Sequence, residues 1–332
     1  MTALAQMLPM RAAWRRWRPG AAIWTTLGVF VLFALLVPRF ASAGNVVNVL
    51  RVAAILCIVS CGQAIVLVLG GIEFSFGSSA ALASVVAVMV LPWLGPVGAL
   101  AAGGGTVVAI GAVNGALIAW FELPPFVVTL GMLMAAAGGA ASLVGGQPID
   151  APTSAAFAWP AAGRIAGIPV PIVLGAVAVI VLHLLLSRSR LGRLWYLAGA
   201  NPTAARLSGI GVGAVTFLGY LAAGAFCAVT AVVLTSRVGS GQPNLAPDLP
   251  FESIAACAIG GIPLAGGEGR AYQVACGVLV IAMMNNAVVL LNFPIAAQQL
   301  ILAAVIVGAV LLQNAGAVGP ALRRAVRRGP RP

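Results

Sequence analysis

Residues 49–69 read VLRVAAILCIVSCGQAIVLVL, and residues 70–82 read GGIEFSFGSSAAL. The first stretch is apolar almost throughout and about as long as the ~20 residues a helix needs to cross a bilayer. It is continuous rather than alternating, which excludes the strand of a membrane β-barrel. Further apolar runs lie near 21–37, 77–92, 95–120, 125–143, 168–187, 213–235, 251–264, 271–291 and 295–313. The expected fold is therefore all-α: a polytopic integral membrane helical bundle of about ten transmembrane helices.

Composition leads to the same place. The chain has 332 residues, 61% hydrophobic and 7% charged, against about 25% charged in an ordinary soluble domain. So few charges cannot coat a soluble protein of this size, and no single core hides so many apolar side chains. All 18 basic residues are arginine, and there are six acids and one histidine. The five cysteines fall inside apolar runs and read as small buried hydrophobes rather than as a disulfide framework. No metal or cofactor is expected.

Charge also sets an orientation. Arg11, Arg15, Arg16 and Arg18 precede the first run; Arg188, Arg190, Arg193 and Arg206 share one loop; Arg270 and five arginines from Arg323 onward follow. With a cytoplasmic amino terminus these fourteen lie inside, and only Arg39, Arg51, Arg164 and Arg237 lie outside. That positive-inside bias places both termini in the cytoplasm. It also accounts for the +12 net charge without nucleic acid. The domain reading is a basic tail at 1–20, a transmembrane domain at 21–315 and a second basic tail at 316–332. The first run is read as an uncleaved helix; a signal peptide cut after Ala41-Ser42-Ala43 is the alternative.

Polar residues inside hydrocarbon are costly and are functional candidates by default. Gly70 to Ser78 reads as a helix break: two glycines loosen the backbone, Glu73 and Ser75 follow, and Gly77 and Ser78 start a new helix. Such breaks line substrate cavities in transporters; a cytoplasmic turn with an exposed acid fits the spacing equally well. Asn114, Asn285, Asn286, Gln298 and Gln299 lie in or beside spans, where amides either bind a polyhydroxylated solute or tie helices together. His183 reads as an interfacial residue.

The longest cytoplasmic loop carries a helix signal of its own. Asn201 is a good N-cap, Pro202 suits the first helical position, and Gly209 suits a left-handed end. A helix of about seven residues is unstable alone and needs a docking surface, either the bundle itself or a partner protein. With no lysine the chain has no nucleotide-binding P-loop, so any ATP-driven step belongs to another polypeptide.

Four ordered stretches resemble one known family, the permease subunits of bacterial ABC importers for ribose, xylose, galactosides and related solutes. They are GGIEFSFGSSAAL at 70–82, NGALIAWFELPPFVVTLGM at 114–132, LGRLWYLAGANPTAARLSGI at 191–210 and IAACAIGGIPLAGGEG at 254–269. The first is similar to the family element GGIDLSVGS: Glu73 replaces its aspartate, and Phe74 and Phe76 replace smaller aliphatics. The resemblance implies a pathway subunit rather than an enzyme. It would pair with a second permease copy, the same or different, a cytoplasmic ATP-binding subunit and a periplasmic or lipid-anchored solute-binding protein. Glu73, Ser75, Ser78, Asn114 and Phe126, with Asn285, Asn286 and Gln298, are then the pathway candidates. Gly192, Arg193, Asn201, Ala204, Ala205, Arg206 and Gly209, in the coupling loop 188–211, are the residues implied to engage the ATPase. A branched-chain amino acid or nucleoside permease, and an ion-coupled transporter using Glu73, are the competing readings.

Overall fold

The computed structural model describes residues 20–152, 154–294, 300, 303–304 and 307–308. Among these, eleven helices carry the fold: α1 Ala21–Leu36, α2 Ala43–Val68, α3 Phe76–Trp120, α4 Pro125–Val144, α5 Ala155–Ala162, α6 Val170–Arg188, α7 Arg190–Ala200, α8 Pro202–Leu207, α9 Val212–Val238, α10 Leu249–Ile259 and α11 Ala271–Leu290. Two-residue ladders pair β1 (Ile149–Asp150) with β4 (Ser240–Gly241) and β2 (Arg164–Ile165) with β3 (Ile168–Pro169). Six helices, α2, α3, α4, α6, α9 and α11, are long and apolar enough to cross a membrane. The protein is a multi-pass helical membrane protein.

The ten apolar segments read from the sequence map unevenly onto these helices. Residues 77–92 and 95–120 belong to α3, which breaks at Gly95 (φ 66°, ψ 176°) between Pro92 and Pro96. The two halves fold back on one another: a Cβ on Gly103 would come within 2.7 Å of the Ala83 carbonyl oxygen. Segment 251–264 forms only α10, 11 residues or about 16 Å, too short for a hydrocarbon core of about 30 Å. It is a half-length helix, entered from non-helical residues 242–248 and ended by the Gly260-Gly261 turn. Helix α1 has 16 residues. Segment 295–313, with Gln298 and Gln299, lies largely outside the described residues.

α2 sits at the centre, with every residue from Ala53 to Val68 buried. It packs against α6, α9, α10 and α11. The densest pairing is α3 with α9, where Gly111 and Gly224 bring the backbones together; a Cβ on Gly111 would stand 3.0 Å from Gly224 Cα. Small residues serve here because lipid supplies no hydrophobic drive for helices to associate, so close packing must do it. One end of the bundle collects α7, α8 and residues 69–71, 121–124 and 260–270, and the other collects residues 145–169 and 239–248.

Candidate functional site

The break after α2 is a designed stop. Gly70 (φ +80°) donates its N–H to Leu67 O at 2.8 Å, and Gly71 N–H reaches Val66 O at 3.0 Å, the paired bonds of a Schellman end. A Cβ on Gly71 would press on the Tyr220 hydroxyl at 2.5 Å, so glycine is needed there for room.

Beyond it the chain turns inward, and Glu73 is 1% exposed. This overturns the solvent-exposed-turn reading. Its Oε1 accepts from Ser75 N (2.7 Å) and Ser75 Oγ (2.6 Å), and its Oε2 from Asn114 Nδ2 (3.0 Å). Asn114 Nδ2 also donates to Ser75 Oγ at 3.2 Å. Asn114 comes from the second half of α3, so the carboxylate ties the head of that helix to its own returning arm. The backbone of the break is held too. Thr129 Oγ1 of α4 donates to Ile72 O at 3.1 Å. The Gln63 amide, in the orientation that satisfies both groups, donates to Glu73 O at 3.1 Å and accepts from Glu73 N at 3.3 Å. Side chains of α2, α3 and α4 thus satisfy a non-helical segment that hydrocarbon would not tolerate bare. Two buried atoms at this node, Tyr220 Oη and Asn114 Oδ1, have no partner among the described residues.

The other pathway candidates fall in different places. Ser78 is partly exposed, its Oγ donating to Ser75 O at 3.0 Å. Asn285 Nδ2 donates to Glu252 Oε1 of α10 at 3.0 Å. Asn286 exchanges two 2.9 Å bonds with Asn45 of α2, the helix-tying use of an amide. Phe126 is 54% exposed and meets Phe74. Sequence reasoning passed over Gln63, Tyr220, Thr129 and Glu252; the rule that singled out Asn114, a polar group inside an apolar run, flags them equally.

The loop contains two helices where one was expected. Ser189 caps α7 by accepting from Gly192 N at 2.9 Å. Asn201 caps α8, its Oδ1 accepting from Ala204 N at 2.9 Å. Gly209 (φ +79°) ends α8 with bonds from Gly209 N to Arg206 O and Ile210 N to Ala205 O, both 3.0 Å. Helix α8 spans six residues. Ala205 is buried, while Asn201, Ala204, Arg206, Gly209 and Arg193 of α7 are exposed; Gly192 is buried against the end of α6. Arg206 pairs with Glu122 at 2.9 Å, both well exposed, a contact worth about 0–1 kcal/mol.

Helix α7 is anchored far more firmly. Trp195, fully buried, donates to Val215 O at 3.1 Å, and Tyr196 Oη donates to Gly269 O at 2.5 Å. Burial pushes the Tyr196 phenol above its ordinary range, partly offset by the Arg270 charge. At the end of α7 a Cβ on Gly199 would collide with the Val68 carbonyl oxygen, and one on Gly266 would stand 2.8 Å from Gly70 Cα. Gly267 N donates to Val68 O at 2.8 Å. Helix α7, the 260–270 turn and residues 68–70 at the end of α2 therefore touch backbone to backbone, three to five residues before Glu73.

Residues 45–310 match the family described as branched-chain amino acid transport system / permease component. The chain is 31% identical over 299 residues to the ribose import permease protein of Escherichia coli (strain K12), covering 87% of this chain and 92% of that protein. It is 35% identical over 293 residues to the ribose import permease protein of Bacillus subtilis (strain 168), with 87% and 91% covered. To the D-allose transport system permease protein of Escherichia coli (strain K12) it is 30% identical over 313 residues, with 89% and 93% covered. No solved structure matches the chain.

Proposed function

The chain belongs to the family of branched-chain amino acid transport system permease components, and from that premise we propose that it is the membrane subunit of an importer that moves a monosaccharide. It is not itself an enzyme: ATP hydrolysis lies with a separate subunit, and a solute-binding protein delivers the cargo. The carrying observation is the similarity over most of the chain to permeases named for ribose and allose. A branched-chain amino acid is less favoured. The similar permeases reported above are named for sugars, and among the described residues no arginine bonds to the cluster around Glu73.

The finer reading is this. The protein lies in the bacterial inner membrane with about ten passes, both termini and the basic tails 1–20 and 316–332 cytoplasmic, around a transmembrane domain at 21–315. Two permease copies, identical or not, enclose the path. Exposed α8, carrying Ala204 and Arg206 and ended at Gly209, docks the ATPase. Closure of the ATPase dimer moves α8 and α7 together, and the glycine contacts at Gly199 and Gly266 pass that motion to the break at Glu73. The path then opens to alternate faces, because nucleotide binds one state better than the other.

The test is uptake of ribose, xylose and galactose into proteoliposomes carrying permease, ATPase and binding protein. Accumulation that needs ATP and survives collapse of ion gradients is the expected result; accumulation without the ATPase overturns the proposal. Arg206→Glu with Gly209→Pro should abolish ATPase assembly, and intact assembly would remove the docking role of α8.

A further inference from the structure

Of the two phenylalanines that flank Ser75, Phe76 is buried at 3% exposure while Phe74 turns to meet other rings. Its ring lies 5.5 Å from Phe126, edge to face at 86°, and 5.9 Å from Phe251 at 59°. Phe126 and Phe251 remain 54% and 44% exposed. Each ring stands at a helix beginning: Phe74 just before α3, Phe126 in the first turn of α4, Phe251 in the first turn of α10. The starts of α3 and α10 abut, since a Cβ on Gly77 would collide with the Ala246 carbonyl oxygen and lie 3.3 Å from Pro250 Cδ.

We propose that Phe74, Phe126 and Phe251 form an aromatic seat that stacks on one face of the sugar ring during transit. The proposal rests on the sugar-permease reading above. Non-helical chain leads into all three helices, and the stretches before α3 and α10 meet each other at Gly77 and Ala246, where such backbone is tolerated against protein or along a water-filled path. Polar groups stand beside the rings in the chain: Ser78 is partly exposed, and Glu252 follows Phe251 with its Oε1 held by Asn285. Apolar faces with a hydroxyl and a carboxylate close by in the chain match a sugar, whose C–H face is apolar and whose rim carries hydroxyls. An acyl chain would gain nothing from those polar groups.

The experiment compares Phe74→Leu, Phe74→Tyr and Phe126→Leu with the parent chain in the complete importer, measuring ribose, xylose and galactose moved per ATP hydrolysed. Loss of the aromatic face should lower that ratio about three- to tenfold in both leucine variants, the size of one aromatic contact, and tyrosine should restore it. Unchanged ratios in the leucine variants overturn the seat. So does a rise in sugar flux without ATP, which would make the rings a plug, or an equal loss in the leucine and tyrosine variants, which would make them packing. Should Phe74→Leu fail to assemble, exposed Phe126→Leu carries the same expectation. A parent importer that moves no sugar with ATP defeats the sugar reading; a working parent with indifferent variants defeats the seat alone.

Discussion

Two interruptions of helix in this chain have opposite characters. At Gly95 the chain turns between Pro92 and Pro96, with Trp93 and Val97 79% and 75% exposed, and a Cβ on Gly95 would meet nothing within 4 Å. At Gly70–Ser75 the chain turns inside the bundle, where side chains from α2, α3 and α4 satisfy its polar groups. The first break is a hairpin tip that reverses direction. The second stores polar chemistry in the interior, which only a dedicated set of partners makes tolerable.

Substitutions should separate the two. The largest effect is expected from Glu73→Ala, which strands Ser75 and Asn114 in a buried site and should cost about 2–4 kcal/mol, read as a lowered melting temperature in detergent and lost uptake. Glu73→Gln keeps one acceptor oxygen and should retain most stability; if it also retains uptake, the charge is not needed. Next, Gly199→Ala drives a methyl into Val68 O and should cost about 1–3 kcal/mol. Its uptake should fall while α8 still binds the ATPase, which pull-down checks. Asn286→Ala breaks the tie to Asn45 and should cost about 0.6–1.7 kcal/mol, with kinetics of uptake unchanged. Last, and smallest in its effect on uptake, Gly95→Ala meets no neighbour but must hold φ 66°, ψ 176°, a conformation essentially reserved for glycine; it should cost about 1–3 kcal/mol and leave transport intact. A Gly95→Ala variant as damaged as Glu73→Ala would erase the distinction between the breaks.

The same contrast marks how far the sequence could be read. The capping of α8 by Asn201 and its end at Gly209 were legible because both are local, set by residues within one turn. The helix break at Gly70 was legible for the same reason, but its depth was not: exposure of Glu73 depends on Asn114, 41 residues away. Helix α7 escaped notice because Gly199 and Gly192 look like helix breakers, whereas they are small for contact with Val68 and the end of α6. Segment 251–264 reads as one continuous helix because apolar composition does not register that Gly260-Gly261 ends it after 11 residues.

Sequence by itself determined that this chain lives in a bilayer as helices and where it pauses, since hydropathy and caps act over one turn or one span. The tertiary structure alone decided that Glu73 is buried rather than wet, that Phe74 joins Phe126 and Phe251, and that α7 lies backbone to backbone on the end of α2. Those outcomes belong to contacts between distant segments, which close packing selects and no local rule encodes.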